Sequence, residues 1–120
     1  MVQSFNNNQP IYLQIVQRIC RQILRGELGA GDKLPSVRDL AVQMGVNPNT
    51  VQRVYSELER LAVAETRRGL GTFITEQESR LQRLREELMA EQIENFIRDM
   101  QEMGFTASEI IDGVRKALKN

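Results

Sequence analysis

The stretch Ser36-Val-Arg-Asp-Leu-Ala-Val-Gln-Met-Gly-Val-Asn-Pro-Asn-Thr-Val-Gln-Arg-Val-Tyr55 decides the architecture. Ser36-Val-Arg-Asp39 is a helix-start signature. The serine hydroxyl accepts from the amide three residues on, and Asp39, standing where Glu is usual, reaches back to the Ser36 amide. A short helix follows, with Val37, Leu40, Ala41 and Met44 on its apolar face. Gly45 stops it and permits a sharp turn. Val46 packs, Asn47 caps the next helix, and Pro48 takes the first helical position, where a missing N–H costs nothing. That next helix turns Val51, Val54, Tyr55, Leu58 and Leu61 inward. It leaves Asn49, Gln52, Arg53, Ser56, Glu57 and Arg60 outside.

Upstream, Pro10 opens a helix in which Ile11/Tyr12, Ile15/Val16, Ile19/Cys20 and Ile23/Leu24 keep one face apolar as far as Gly26. Gly26 to Pro35 holds three glycines and a proline and reads as a loop, with Leu28 and Leu34 pinned to the core. Met1 to Gln9, with three consecutive asparagines, reads as a loose arm. Downstream, Val63 to Arg67 and Thr72 to Thr75 are β-prone runs around the turn Arg68-Gly-Leu-Gly71. Three helices followed at once by a small hairpin is the winged helix-turn-helix order. The fold is therefore expected to be mainly α. The third helix would project its N-terminal end into a major groove, and the hairpin tip would meet a phosphate or the minor groove.

Glu76 to Met103 carries a long helical pattern. Leu81, Leu84 and Leu88 form one stripe, and Met89, Ile93, Phe96, Met100 and Met103 form another. The stripe slips by one residue at Leu88/Met89, so a clean coiled-coil seam is not expected. Gly104 ends the helix. Thr106-Ala-Ser-Glu109 is a second capping-box pattern, opening a final helix with Ile110, Ile111, Val114 and Leu118 on one side. Two domains are expected: 1–75, a winged helix-turn-helix DNA-binding domain, and 76–120, a two-helix tail.

Composition narrows the chemistry. The 120 residues include 16 Lys+Arg and 16 Asp+Glu, so no polybasic or acidic tail dominates, and 41% hydrophobic residues mark a globular chain. The balance is uneven along the chain: residues 1–75 hold 9 basic and 6 acidic side chains, residues 76–120 hold 7 and 10. An anionic partner would thus sit at the front. With no His and one Cys, a Cys/His zinc site, a His-based triad and an internal disulfide are all excluded. An unpaired Cys and the lack of a signal peptide point to the cytoplasm, and no apolar run approaches the roughly 18 residues that span a bilayer. Cys20 falls on the apolar side of the first helix and reads as a small core residue rather than a redox sensor.

The runs Pro10-Ile-Tyr-Leu-Gln-Ile15, Ile23-Leu-Arg-Gly26, Gly31-Asp-Lys-Leu-Pro-Ser-Val-Arg-Asp-Leu-Ala41, Gly45-Val-Asn-Pro-Asn-Thr-Val-Gln-Arg-Val-Tyr55 and Arg68-Gly-Leu-Gly-Thr-Phe-Ile74 stand in order. Together they resemble the DNA-binding domain of GntR-type transcription regulators, from Pro10 to about Thr75. The short remainder resembles the small YtrA-like subgroup of that family, whose tail serves dimerisation. Such regulators often sit beside transporter genes, and a transporter operon is what that resemblance implies as the target. The resemblance also implies that Arg38 contacts DNA; a surface ion pair is the alternative, since a cation at a helix N-terminus needs some compensation.

The residues themselves suggest how DNA would be read. Ser36 either meets a phosphate or only caps its helix. Asn47 is a cap first. Asn49 and Gln52 are suited to bidentate pairing with adenine, with Thr50 beside them, and Arg53 is suited to the backbone. Family members often carry Arg or Ser near Pro48, and this chain departs from that pattern. Arg67, Arg68 and Gly69 form the expected wing tip; two adjacent arginines repel unless phosphate or the minor groove offsets them, while Gly69 and Gly71 also satisfy positive φ in the turn. Leu81, Leu84, Leu88, Ile93, Phe96, Ile97, Met100, Ile110, Ile111, Val114 and Leu118 are the expected dimer interface. The expected function is a sequence-specific, homodimeric, cytoplasmic transcription repressor on a near-palindromic double-stranded DNA operator, with no cofactor and no membrane. Any small-molecule effector would act at the dimer interface. A protein-docking winged helix is the rival reading, against which the polar and basic outer face of the third helix speaks. An enzyme is a third reading, against which the lack of His, of a paired nucleophile and base, and of a phosphate loop speaks.

Overall fold

The computed structural model describes residues 5, 6 and 8–120; the rest of the expected amino-terminal arm lies outside the described residues. The elements run α1 (Ile11–Leu24), α2 (Val37–Met44), α3 (Pro48–Arg60), β1 (Ala64–Arg67), β2 (Gly71–Ile74), α4 (Glu78–Glu102) and α5 (Ala107–Leu118). The fold is mainly helical with one antiparallel hairpin, a winged helix-turn-helix. Two compact units divide between Leu84 and Arg85.

In the first unit α3 is the hub. It packs on α1, α2 and β1. Its buried stripe of Val51, Val54, Tyr55 and Leu58 meets Ile15 and Ile19 of α1 and Leu40 and Ala41 of α2 in a common core, with Ile74 of the wing fully enclosed. The opposite face stays in water. The turn between α2 and α3 begins at Gly45, in the left-handed region at φ 68 and ψ 39. The Val46 N–H donates to the Ala41 carbonyl at 3.0 Å and the Gly45 N–H to Val42 at 3.3 Å, which closes the helix. The helix start is simpler than the sequence suggests. Ser36 Oγ accepts from the Asp39 amide at 3.1 Å, but the return bond from the Ser36 N–H to the Asp39 carboxylate does not form. Aspartate is one methylene shorter than the glutamate of a full box. Thr106 and Glu109 make both bonds at the start of α5, at 3.2 and 2.9 Å.

The hairpin pairs Ala64 with Ile74 and Arg67 with Gly71. Its strands are one residue shorter at the outer ends than the β-prone runs. The loop after α1 lies along the outer edge of β2. Leu34 N–H donates to Thr72 O at 2.8 Å, Ile74 N–H to Asp32 O at 2.8 Å, and Lys33 bridges Phe73 in antiparallel register. The wing is thereby laced to the segment that leads into α2. The first turns of α4 belong to the same unit: Arg80, itself buried, donates from Nε to the Leu61 carbonyl at 2.9 Å, and Leu84 is buried. In the second unit α4 closes at Gly104, where Phe105 N–H reaches the Met100 carbonyl at 3.1 Å, and α5 follows. No helix among the described residues is long and apolar enough to cross a membrane.

The end of α3 repeats the α2 closure with a different residue. Val63 N–H donates to Leu58 O and Ala62 N–H to Glu59 O, both at 2.9 Å, with Ala62 at φ 59. A side chain in the left-handed region costs about 1–2 kcal/mol, and only part of that is offset by the extra unfolded-state entropy of glycine. Ala62→Gly is therefore expected to stabilise the protein by up to about 1 kcal/mol, seen as a rise in thermal midpoint; a lower midpoint would show that Ala62 is not strained.

Candidate nucleic-acid interface

Asn47 sits at the α3 N-cap in extended conformation, and its Oδ1 accepts from the Asn49 amide at 2.7 Å. That bond leaves its amide NH₂ free and commits the oxygen to the helix. Asn49, Gln52 and Arg53 are exposed at positions i, i+3 and i+4, so they share one face of the first turns; Thr50, one step round, is half-buried. The Arg53 guanidinium lies over the Tyr12 ring of α1, 3.8 Å from its centroid. The stacking restrains a long side chain beside the helix tip. Further along the same face, Arg60 and Glu57 hold each other through two bonds of 2.8 and 2.6 Å. Arg60 is thus already neutralised, and its hydrogen bond is the main cause of the lowered Glu57 pKa.

Arg38 projects from the first turn of α2 and is exposed. Among the described residues no carboxylate lies within 4.0 Å of it, so the ion-pair alternative is not formed. On the wing the two arginines separate. Arg67 ends β1, half-buried; its Nη2 lies 3.0 Å from Glu65 and 3.3 Å from Glu76, and its guanidinium stands 4.3 Å from the Phe73 centroid. Arg68 and Gly69 lie in the turn itself, which the Leu70 N–H closes onto Arg67 O at 2.8 Å. Arg68 is exposed with no acidic partner among the described residues. The repulsion expected between adjacent arginines is met inside the protein, by two glutamates on Arg67. Gly69, at φ 79, satisfies the turn.

The angle between α2 and α3 is held by a residue that reads in sequence as plain core. Tyr55 is buried, and its hydroxyl donates to the Pro35 carbonyl at 2.5 Å. No spacing rule reveals a partner twenty residues away. Tyr12, the platform for Arg53, is likewise invisible as such in the apolar beat of the first helix.

The residues expected at a dimer interface fall into two groups. Leu84 and Ile110 are buried, and Leu81, Leu88, Ile97 and Met100 are half-buried. Ile93, Phe96, Ile111, Val114 and Leu118 are exposed, as are Met89, Met103 and Phe105. Cys20 is buried, and burial raises its thiol pKa to about 11, which keeps it protonated and unreactive. No group of three or more metal-binding side chains occurs among the described residues.

Residues 11–74 match the family model described as bacterial regulatory proteins, gntR family. The chain belongs to the GntR family of transcription regulators. It is 49% identical over 115 residues to the HTH-type transcriptional regulator YhcF of Bacillus subtilis (strain 168), covering 96% of this chain and 95% of that one. It is 51% identical over 70 residues to the HTH-type transcriptional repressor YtrA of the same organism, covering 58% and 54%. A GntR family transcriptional regulator from Listeria monocytogenes superposes with a TM-score of 0.87 at 43% identity, over 93% of this chain and 98% of that one. The protein is thus a DNA-binding regulator of transcription and not an enzyme.

The burial of Tyr55 has a measurable pH signature. Burial lifts its phenol from the ordinary 10.0 to about 12. The folded state then keeps a proton that the unfolded chain releases near pH 10, so this contribution is intact below pH 10 and is lost as pH rises through about 12. Cys20 acts with the same sign between 9.0 and about 11. Tyr55→Phe is expected to cost about 1 kcal/mol at neutral pH and to show a shallower fall in denaturant midpoint between pH 10 and 12. Parallel curves for the two proteins would remove Tyr55 from this role.

Proposed function

We propose that this GntR regulator is a homodimeric repressor that binds a near-palindromic operator in the cytoplasm, one winged unit per half-site, with a transporter operon as its target. The observation that carries the DNA-reading part is the distribution of free and committed side chains. Arg38 and Arg68 are exposed cations with no internal acid, and Asn49 and Gln52 present unpaired amides on the same turns of α3. Unpaired cations suit phosphates, and exposed amides at a helix tip suit base edges. Ser36, Asn47, Thr50, Arg53, Arg67 and Gly69 complete the proposed surface. Of these, Asn47 and Ser36 serve first as caps, and Arg53 and Arg67 must leave or share their present partners to touch DNA.

The repressor sense is supported by the related YtrA, which is named a repressor. A second copy is supported by the row of exposed apolar side chains from Met89 to Leu118, since exposed apolar surface of that extent favours burial against a partner. The helical segment 76–120 is proposed as the dimerisation tail. Two-fold symmetry of the protein then predicts two-fold symmetry of the operator.

The test uses duplexes selected by the wild-type protein from a random-sequence pool. Arg38→Ala and Arg68→Ala are each expected to weaken binding evenly across sequences and to reduce the salt slope by about 1 per protomer. Asn49→Ala or Gln52→Ala is expected to relax preference at particular base pairs by about 1–3 kcal/mol. Even loss from the amide variants on every sequence would refute base reading. Selection that enriches no duplex at low salt would refute DNA binding by this surface. Phe96→Glu together with Ile111→Glu is expected to shift sedimentation from dimer to monomer; an unchanged dimer would place the interface elsewhere.

A further inference from the structure

We infer that the groove between the segment leading into α2 and the wing seats one backbone phosphodiester of duplex DNA, with the Lys33 ammonium as its counter-charge. The inference rests on the DNA-binding reading above and adds a site to it. The groove measures about 710 Å³ and is bounded by Lys33, Pro35 and Ser36 on the loop side and by Leu70, Gly71 and Thr72 on the wing side. A helix tip in a major groove and a wing at the adjacent minor groove must straddle the sugar–phosphate strand that separates them. The surface between those two elements faces that strand.

The groove is furnished for it. Lys33 is exposed, and among the described residues no carboxylate lies within 4.0 Å of its ammonium. Its stem lies across the wing. A Cβ on Gly71 would stand 2.9 Å from Lys33 Cε, so the lysine stem runs close over Gly71. The ammonium lies 6.0 Å from the Phe73 centroid, and the bridge to Phe73 fixes the lysine backbone. The bridge thus anchors the lysine at its backbone and leaves its ammonium available to an anion. Opposite it, Leu70 is 62% exposed at the tip of the turn, an apolar wall fit for a deoxyribose rather than a charge. The other charged side chain lining the groove is Asp39. Lys33 offsets that carboxylate, and without it a phosphate would face Asp39 alone.

The experiment takes the full-length protein and a duplex it has itself selected. Lys33→Gln is expected to bind about tenfold more weakly per protomer near 0.1 M salt. Its salt slope should be flatter by about 0.9 per protomer, with the selected sequence unchanged. A scan of single methylphosphonates should find one backbone position per half-site that weakens the wild type and leaves Lys33→Gln unaffected. The inference is overturned if Lys33→Gln, folded to the same thermal midpoint, keeps the wild-type slope, loses no more slope than Lys119→Gln, or remains sensitive at every methylphosphonate position. Failure of the wild type to select any duplex would overturn the DNA-binding reading itself. That result is distinct from a wild type that binds and a variant that binds equally well.

Discussion

The outward face of this protein depends on how Tyr55 is held. Its ring belongs to the buried stripe of α3, and its hydroxyl reaches the Pro35 carbonyl just before α2 begins. Pro35 follows the Asp32–Leu34 segment that is hydrogen-bonded to β2. One side chain therefore ties the helix that carries Asn49 and Gln52 to the start of the helix that carries Arg38. Through the loop it also ties both to the wing. If this surface reads bases as proposed, a rigid scaffold would matter more than any single contact, because base-edge recognition tolerates little misplacement of the side chains that make it.

Net charge says little about such a surface, and local pairing says much. The chain is neutral overall. Within the first unit some basic side chains are paired with an acid and others are not. Arg25, Arg60 and Arg67 are neutralised by Glu27, by Glu57, and by Glu65 with Glu76. Lys33, Arg38 and Arg68 have no such acid among the described residues and cluster on the loop, α2 and the wing turn. An exposed ion pair contributes little stability and screens its own field, whereas a free cation retains its full attraction for an anion. The internal pairing thus leaves Lys33, Arg38 and Arg68 unneutralised around the helix tip, as it also leaves Arg21 on α1 and Arg83 on α4.

Local signals explain which parts of this arrangement could be read from the sequence. Gly45, Asn47 and Pro48 act through bonds within a few residues, so the turn, the cap and the helix start are all legible, as is the Thr106/Glu109 box. The hairpin was legible mainly through its position after α3, since its residues have modest β propensity. Three features lay beyond local pattern. The Tyr55–Pro35 bond, the stacking of Arg53 on Tyr12 and the capture of Arg67 by Glu76 each join residues far apart in the chain. Pairwise periodicity carries no record of such contacts. The Ser36/Asp39 start failed for a smaller reason, the length of one methylene, which residue class conceals and geometry reveals.

The second unit raises a question of stability rather than recognition. Among Arg85–Asn120 the one buried apolar side chain is Ile110, while Ile93, Phe96, Ile111, Val114 and Leu118 face water. Helices in water draw most of their stability from a buried face, and a pair that buries so little falls short of what an isolated helical hairpin needs. The capping box and the closure at Gly104 fix the ends of these helices but contribute only about 1 kcal/mol each. A folded tail of this composition therefore requires an apolar surface supplied from outside itself. The second copy proposed above would meet that requirement at no cost in new sequence, because the same exposed side chains on each protomer would provide the surface the other lacks.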